Sequence, residues 1–104
     1  LVIRKASPAK WRDATTEQRA ALISSFMENV VENGTGGAAA VSGIRVTGKT
    51  GTAENSSGAE HGWFMGTAQV QGRNVAFAVI VENCGSGAVA AAVARRLILA
   101  LNDR

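Results

Sequence analysis

Lys49, Thr50 and Thr52 put one ammonium and two hydroxyls almost side by side in the stretch Gly43-Ile44-Arg45-Val46-Thr47-Gly48-Lys49-Thr50-Gly51-Thr52. Two chemistries fit these residue types. From Gly43 to Thr50 the spacing is that of G-x-x-x-x-G-K-[ST], in which backbone N–H groups cradle phosphate and the Lys reaches its outer oxygens. Held extended, the same residues offer a Lys and two Thr to an anionic group lying beside a strand, with backbone N–H groups between them. The first chemistry needs a loop that enters a helix at Lys49-Thr50, and the second needs a β-strand, so the flanking sequence has to choose.

It chooses the strand. A phosphate loop follows a hydrophobic strand, whereas Gly34 to Gly43 is mostly Gly and Ala. It also precedes a helix, whereas Gly51 to Gly62 has no helical period. Ile44, Val46 and Thr47 are β-branched residues that resist tight turns and favour extended backbone. Ile44-Arg45-Val46-Thr47 alternates apolar and polar, and reads as a strand running into Gly48-Lys49-Thr50-Gly51-Thr52. Val79-Ile80-Val81-Glu82 has the look of a metal-binding strand end of nucleotide hydrolases, but it lies in what reads as an antiparallel hairpin.

The other chemistry-bearing residues are isolated. Cys84 and His61 are the only residues of their kinds in 104, so neither an internal disulfide nor a clustered metal site can form. Cys84 reads as a small residue near a strand end, and His61 as a hydrogen-bonding group at a strand start. Asn33-Gly34-Thr35 and Asn55-Ser56-Ser57 match the glycosylation sequon, a pattern short enough to arise by chance. Composition sets outer bounds: 46% hydrophobic and 18% charged residues suit a globular segment of at most one domain. The net charge of +3 is scattered, with no basic stripe to support nucleic-acid binding. No apolar run reaches the roughly 18 residues of a membrane span.

The elements that must position these groups follow from periodicity. Thr15 or Thr16 can cap a helix, with Gln18 placed for a capping box and Glu17 at the positive end. Ala20, Ile23, Phe26, Met27, Val30 and Val31 give it one apolar face, and Gly34 supplies a left-handed stop. Gly34-Thr35-Gly36-Gly37 is a flexible connector. After the Lys49 strand and a turn at Asn55-Ser56-Ser57-Gly58, Trp63–Val70 is a second strand, with Trp63 and Phe64 expected in the core. Gln71-Gly72-Arg73-Asn74 suits a hairpin. Val75–Val81 is apolar without alternation, which predicts cover on both faces. A closing helix from Ala88 to Leu101 repeats Val89, Val93, Leu97 and Leu101 at intervals of four, with Arg95, Arg96 and Arg104 towards its negative end. The fold class is α/β of the α+β type: an antiparallel sheet of three or more strands with helices packed on it.

In this order the pieces resemble the C-terminal portion of the transpeptidase domain of penicillin-binding proteins. The resemblance is carried by Gly34-Thr35-Gly36, Gly48-Lys49-Thr50-Gly51-Thr52-Ala53-Glu54, His61-Gly62-Trp63-Phe64-Met65-Gly66, Ala78-Val79-Ile80-Val81-Glu82-Asn83 and Ala94-Arg95-Arg96. Cys84 departs from the Gly that commonly follows the Glu-Asn pair. The resemblance implies the fold shared with serine β-lactamases, and residues 1–104 as one segment of that domain. It implies acyl transfer through a serine acyl-enzyme on peptidoglycan stem peptides, and acylation by β-lactam antibiotics. Catalytic roles are implied for Lys49 and Thr52, the Thr52 backbone N–H being one oxyanion donor, and substrate binding for Lys49, Thr50, Gly51 and Thr52. No cofactor or metal is implied. A β-lactam sensor, a D,D-carboxypeptidase and a serine β-lactamase share these groups and remain alternatives.

That family's nucleophile stands in S-x-x-K, with a second Ser in S-x-N. Ser7-Pro8-Ala9-Lys10 matches the first by letters, yet it lies too near Lys49 for the second to fit between, and the chain has no S-x-N. Ser7-Pro8 is expected in a surface turn or first helical turn, with Lys10 solvated. The nucleophile is therefore expected in a missing N-terminal part of the domain, as the opening Leu1-Val2-Ile3 without Met also suggests. The location implied is the bacterial envelope, outside the cytoplasmic membrane, with any membrane anchor beyond these residues.

Overall fold

A computed structural model describes residues 4–103. The order of elements is α1 (Glu17–Asn33), a 3-10 turn (Gly37–Ala39), β1 (Val46–Ala53), β2 (His61–Val70), β3 (Arg73–Val81) and α2 (Gly87–Asn102). The strands form one antiparallel sheet in the order β1-β2-β3, so β2 is central. Register runs unbroken from Val46↔Ala68 to Ala53↔His61 on one side of β2 and from Gly62↔Val81 to Val70↔Arg73 on the other. The fold class expected from the sequence is the one observed.

The sheet has two unlike faces. The inner face carries Gly62, Phe64, Gly66, Ala68 and Val70 of β2, all buried beneath α2. Strand alternation puts Val75, Phe77, Val79 and Val81 of β3 beside them. Phe64 and Phe77 stack with centroids 6.0 Å apart. The outer face carries Trp63, Met65 and Ile80, all exposed. The expectation of cover on both faces of β3 is therefore wrong among the described residues. β3 is an edge strand, and its outer positions Ala76, Ala78 and Ile80 are exposed.

α2 corrects the periodic reading as well. Val89, Val93 and Leu97 are exposed, and the buried face is Ala90, Ala91, Ala94 and Ile98. Glycine on the inner sheet face demands close approach: a Cβ on Gly48 would lie 2.1 Å from Phe64 Cζ, and one on Gly66 would lie 2.0 Å from the Thr47 carbonyl oxygen. At Gly62 the close neighbour is the start of α2 itself, with the Ser86 carbonyl oxygen 2.2 Å from where a Cβ would stand, and the helix turns mainly alanine to the sheet. Arg104, expected at the helix end, lies outside the described residues, as do Leu1, Val2 and Ile3.

α1 packs on β1. Thr16 is its N-cap, with Oγ1 accepting from Arg19 N–H, so the box anticipated between Thr15 and Gln18 does not form. Val31 is buried on β1's side, while Ile23 and Phe26 of the expected apolar face are exposed. Arg45 Nε donates to Glu28 Oε2 at 2.9 Å and ties β1 to this helix. Gly34 ends α1 with φ −130°, outside the left-handed region expected for it. Instead Val30 C=O receives the N–H groups of both Gly34 and Gly36, and the connector is an ordered turn with Gly36 buried. Gln71 and Gly72, with φ of 49° and 74°, close the β2–β3 hairpin in the primed geometry that matches strand twist.

Candidate active site

Gly48 to Thr52 lies wholly within β1, extended and without a bulge, so the phosphate-loop geometry is absent. β1 is at the edge of the sheet, with no strand on its other side among the described residues. Which backbone groups meet that free edge is fixed by one hydrogen bond. Gln69 N–H donates to Arg45 C=O at 3.1 Å, and extending the register by one residue makes these two direct partners. Bonded and non-bonded pairs alternate along an antiparallel ladder. Thr47, Lys49, Gly51 and Ala53 thus turn their N–H and C=O towards β2, while Gly48, Thr50 and Thr52 turn theirs away from it. Lys49 Nζ donates to Thr50 C=O at 2.8 Å, as a carbonyl facing outwards permits.

Side chains divide by face. Lys49 and Gly51 stand on the outer face, next to an apolar depression of about 410 Å³ that they line with Thr50, Trp63, Met65 and Ala78. Trp63, expected in the core, is 42% exposed in this wall, whereas Phe64 is fully buried as expected. Thr50 and Thr52 face the inner side. Thr50 Oγ1 donates to Thr35 Oγ1 at 3.0 Å, and Thr52 Oγ1 accepts from Gly87 N–H at 3.3 Å. Regular alternation therefore separates the ammonium from the two hydroxyls by the thickness of the strand. The groups that can converge on one ligand at the free edge are Lys49 Nζ and the outward N–H groups of Thr50 and Thr52.

The two glycines of the motif serve different needs. Gly48 is required by the chain itself, because the Phe64 ring occupies the place of a Cβ. A Cβ on Gly51 would meet only Trp63 Cβ, at an ordinary 3.5 Å. Nothing on the outer face demands glycine at residue 51, and its bare backbone is open to whatever comes from outside.

The remaining candidates separate from this strand. Ser7 and Lys10 lie in an exposed stretch without regular structure, and Lys10 pairs with Asp13 at 2.6 Å. Glu54 is exposed and makes no ion pair among the described residues. His61 Nδ1 accepts Asn83 N–H at 2.9 Å, a structural role that holds Asn83 at φ 53° in the turn before α2. Cys84 is half-buried, its Sγ–H donating to Ser86 C=O at 3.3 Å. Among the described residues no group of three His, Cys, Asp or Glu side chains could hold a metal, and no helix is long and apolar enough to cross a membrane. Sequence reading missed Ser86-Gly87, whose contact with Thr52 joins residues 35 apart in the chain. The only local signal is the Gly85-Ser86-Gly87 helix start.

Known proteins share both the sequence and this arrangement. The family model of the penicillin binding protein transpeptidase domain matches residues 4–99. The chain is 33% identical over 108 residues to the peptidoglycan D,D-transpeptidase PbpA of Mycolicibacterium smegmatis, covering 94% of this chain and 22% of that protein. Among solved structures, the D,D-transpeptidase domain of a peptidoglycan glycosyltransferase from Eggerthella lenta superposes with a TM-score of 0.79 at 38% identity, over 96% of this chain and 24% of that one. Penicillin-binding protein A of M. tuberculosis, as its imipenem acyl-enzyme complex, gives a TM-score of 0.68 at 36% identity, over 86% and 20% of the two chains. The chain thus spans about a fifth to a quarter of the length of the relatives it matches. With nearly all of its residues inside the family match, it belongs to the penicillin-binding-protein transpeptidase family.

Proposed function

We propose that this chain is the C-terminal part of a peptidoglycan D,D-transpeptidase domain and forms one wall of its active site. The reaction is cross-linking of stem peptides through a serine acyl-enzyme, on the outer side of the bacterial cytoplasmic membrane. The nucleophilic Ser belongs to another part of the domain. β-Lactams acylate that Ser because they occupy the same wall.

The observation that carries this reading is the outward N–H of Thr52 on an unpaired strand edge. An acyl-transfer intermediate carries an oxyanion, and its stabilisation needs preorganised donors whose direction does not change during reaction. A strand amide facing the free edge meets that need, and the neighbouring edge groups of Thr50 let an extended peptide lie alongside. Lys49 adds positive charge on the same edge, which suits the substrate carboxylate and proton movement through a partner Ser. Thr50, Gly51 and Thr52 make the floor along which substrate lies.

The test is covalent labelling of the full-length protein with a fluorescent penicillin. The full-length protein labels stably, and Lys49→Ala slows acylation by about 10²-fold or more. Residues 1–104 alone do not label. Wild-type labelling by the Lys49→Ala variant, or labelling of the isolated segment that disappears in Ser7→Ala, would overturn the reading.

A further inference from the structure

The first turn of α2 lies on the inner face of β1 at the Gly51–Thr52 peptide. Gly87 N–H donates to Thr52 Oγ1 at 3.3 Å. A Cβ on Gly87 would stand 2.7 Å from the Gly51 carbonyl oxygen, 3.0 Å from Gly51 N and 3.0 Å from Thr50 Cβ. The helix comes this close because the strand next to it is also bare: a Cβ on Gly62, which pairs with Thr52, would strike the Ser86 carbonyl oxygen at 2.2 Å. Ser86 holds the turn in shape, its Oγ accepting Ala88 N–H at 3.0 Å as the N-cap.

The peptide unit that Gly87 touches is the one that carries the Thr52 N–H. A peptide bond is planar, so its C=O and N–H cannot turn independently. Gly51 C=O faces β2, and the trans peptide sends Thr52 N–H to the free edge. Whatever fixes the plane at Gly51 fixes the direction of that donor.

We propose that Gly87 is a positioning residue for the transpeptidase site: its N–H and its missing Cβ let the α2 N-terminus clamp the Gly51–Thr52 peptide and so aim the Thr52 amide. This rests on the reading of Lys49–Thr52 as the substrate-binding strand. Gly87 touches neither substrate nor reacting atoms. It acts through Thr52, whose hydroxyl oxygen accepts the Gly87 N–H. A Cβ at residue 87 either lifts the helix start from the strand or tilts the peptide plane. Misplacement of a reacting group by about 1 Å can cost on the order of 10²-fold in rate.

The experiment is stopped-flow acylation of the full-length protein by a reporter β-lactam, with the rate at saturation separated from the dissociation constant of the complex formed before acylation. Gly87→Ala is expected to lower the saturating rate by about 10-fold or more, with that dissociation constant changed by less than about 3-fold. Ala94→Gly, a destabilising change farther along the same buried helix face, is expected to leave the saturating rate within about 3-fold of wild type. If Gly87→Ala does not fold, Ser86→Ala decides: without the hydroxyl that accepts Ala88 N–H the turn carrying Gly87 loosens, and the saturating rate is expected to fall by more than about 3-fold. A saturating rate unchanged in Gly87→Ala, or lowered equally in Ala94→Gly, overturns the proposal, as does Ser86→Ala acylating as fast as wild type where Gly87→Ala does not fold. Those outcomes leave the broader reading standing if Lys49→Ala still acylates slowly, whereas acylation of Lys49→Ala at the wild-type rate sinks the reading itself.

Discussion

At the scale of single residues, the motif divides into positions that the strand's own packing requires and positions that it leaves open. Gly48→Ala drives a methyl into Phe64, the largest fully buried side chain. We expect it to cost about 1–3 kcal/mol, read as a lowered thermal midpoint of the full-length protein. Gly51→Ala meets no such obstacle. It is expected to leave the midpoint within about 1 °C and to slow β-lactam acylation, because the methyl projects from a backbone otherwise open to ligand. Equal effects of the two substitutions on stability would show that the division is wrong. The extended state of Lys49 to Thr52 was legible from residue types, since the β-branched Ile44, Val46 and Thr47 lead straight into it, whereas a role for the Thr52 amide came only with the family resemblance. The sharing of one ligand by Lys49 and the hydroxyls of Thr50 and Thr52 was not. That needed a bulge to break alternation, and the register contains none.

Among the elements, α2 shows how periodicity misleads. Repeating Val89, Val93 and Leu97 at intervals of four picks out a genuine stripe on the helix, but that stripe is exposed and the alanine stripe beside it is buried. Close approach decided the matter: a Cβ on Gly62 would lie 2.2 Å from the Ser86 carbonyl oxygen, so the helix starts tight against the sheet and small side chains face it. Ala94→Leu is expected to destabilise the full-length protein by about 1–3 kcal/mol through overpacking in denaturant titration. Removing the N-cap of α1 by Thr16→Ala is expected to cost about 1 kcal/mol in the same titration, with acylation unaffected, because the Thr16 hydroxyl bonds only within its own helix, to Arg19 N–H. A loss as large from the neighbouring Thr15→Ala would contradict the assignment of the cap to Thr16.

For the molecule as a whole, the described residues leave three apolar surfaces uncovered. They are Leu22, Ile23 and Phe26 on α1, Val89, Val93 and Leu97 on α2, and Trp63, Met65 and Ile80 on the outer sheet face. Exposed apolar area on this scale is characteristic of surfaces that meet another partner. On the function proposed above, that partner is the remainder of the transpeptidase domain, of whose relative this chain spans 22%. Residues 1–104 expressed alone are therefore expected to bind a hydrophobic dye strongly and to self-associate on size-exclusion chromatography, whereas the full-length protein does neither. A monomeric, dye-free segment would count against its being an internal part of a larger core.

By itself the sequence determined the order of elements, the antiparallel sheet and the extended state of Lys49 to Thr52, because each rests on local preferences: β-branched residues before the motif, glycine turns between strands and a helical period at each end. Tertiary structure alone decided which face of each helix is buried, that β3 is an edge strand, and that Gly87 meets the Gly51–Thr52 peptide. Those outcomes depend on which distant surfaces approach and how closely. Steric fit between elements sets that approach, and periodicity along one chain does not encode it.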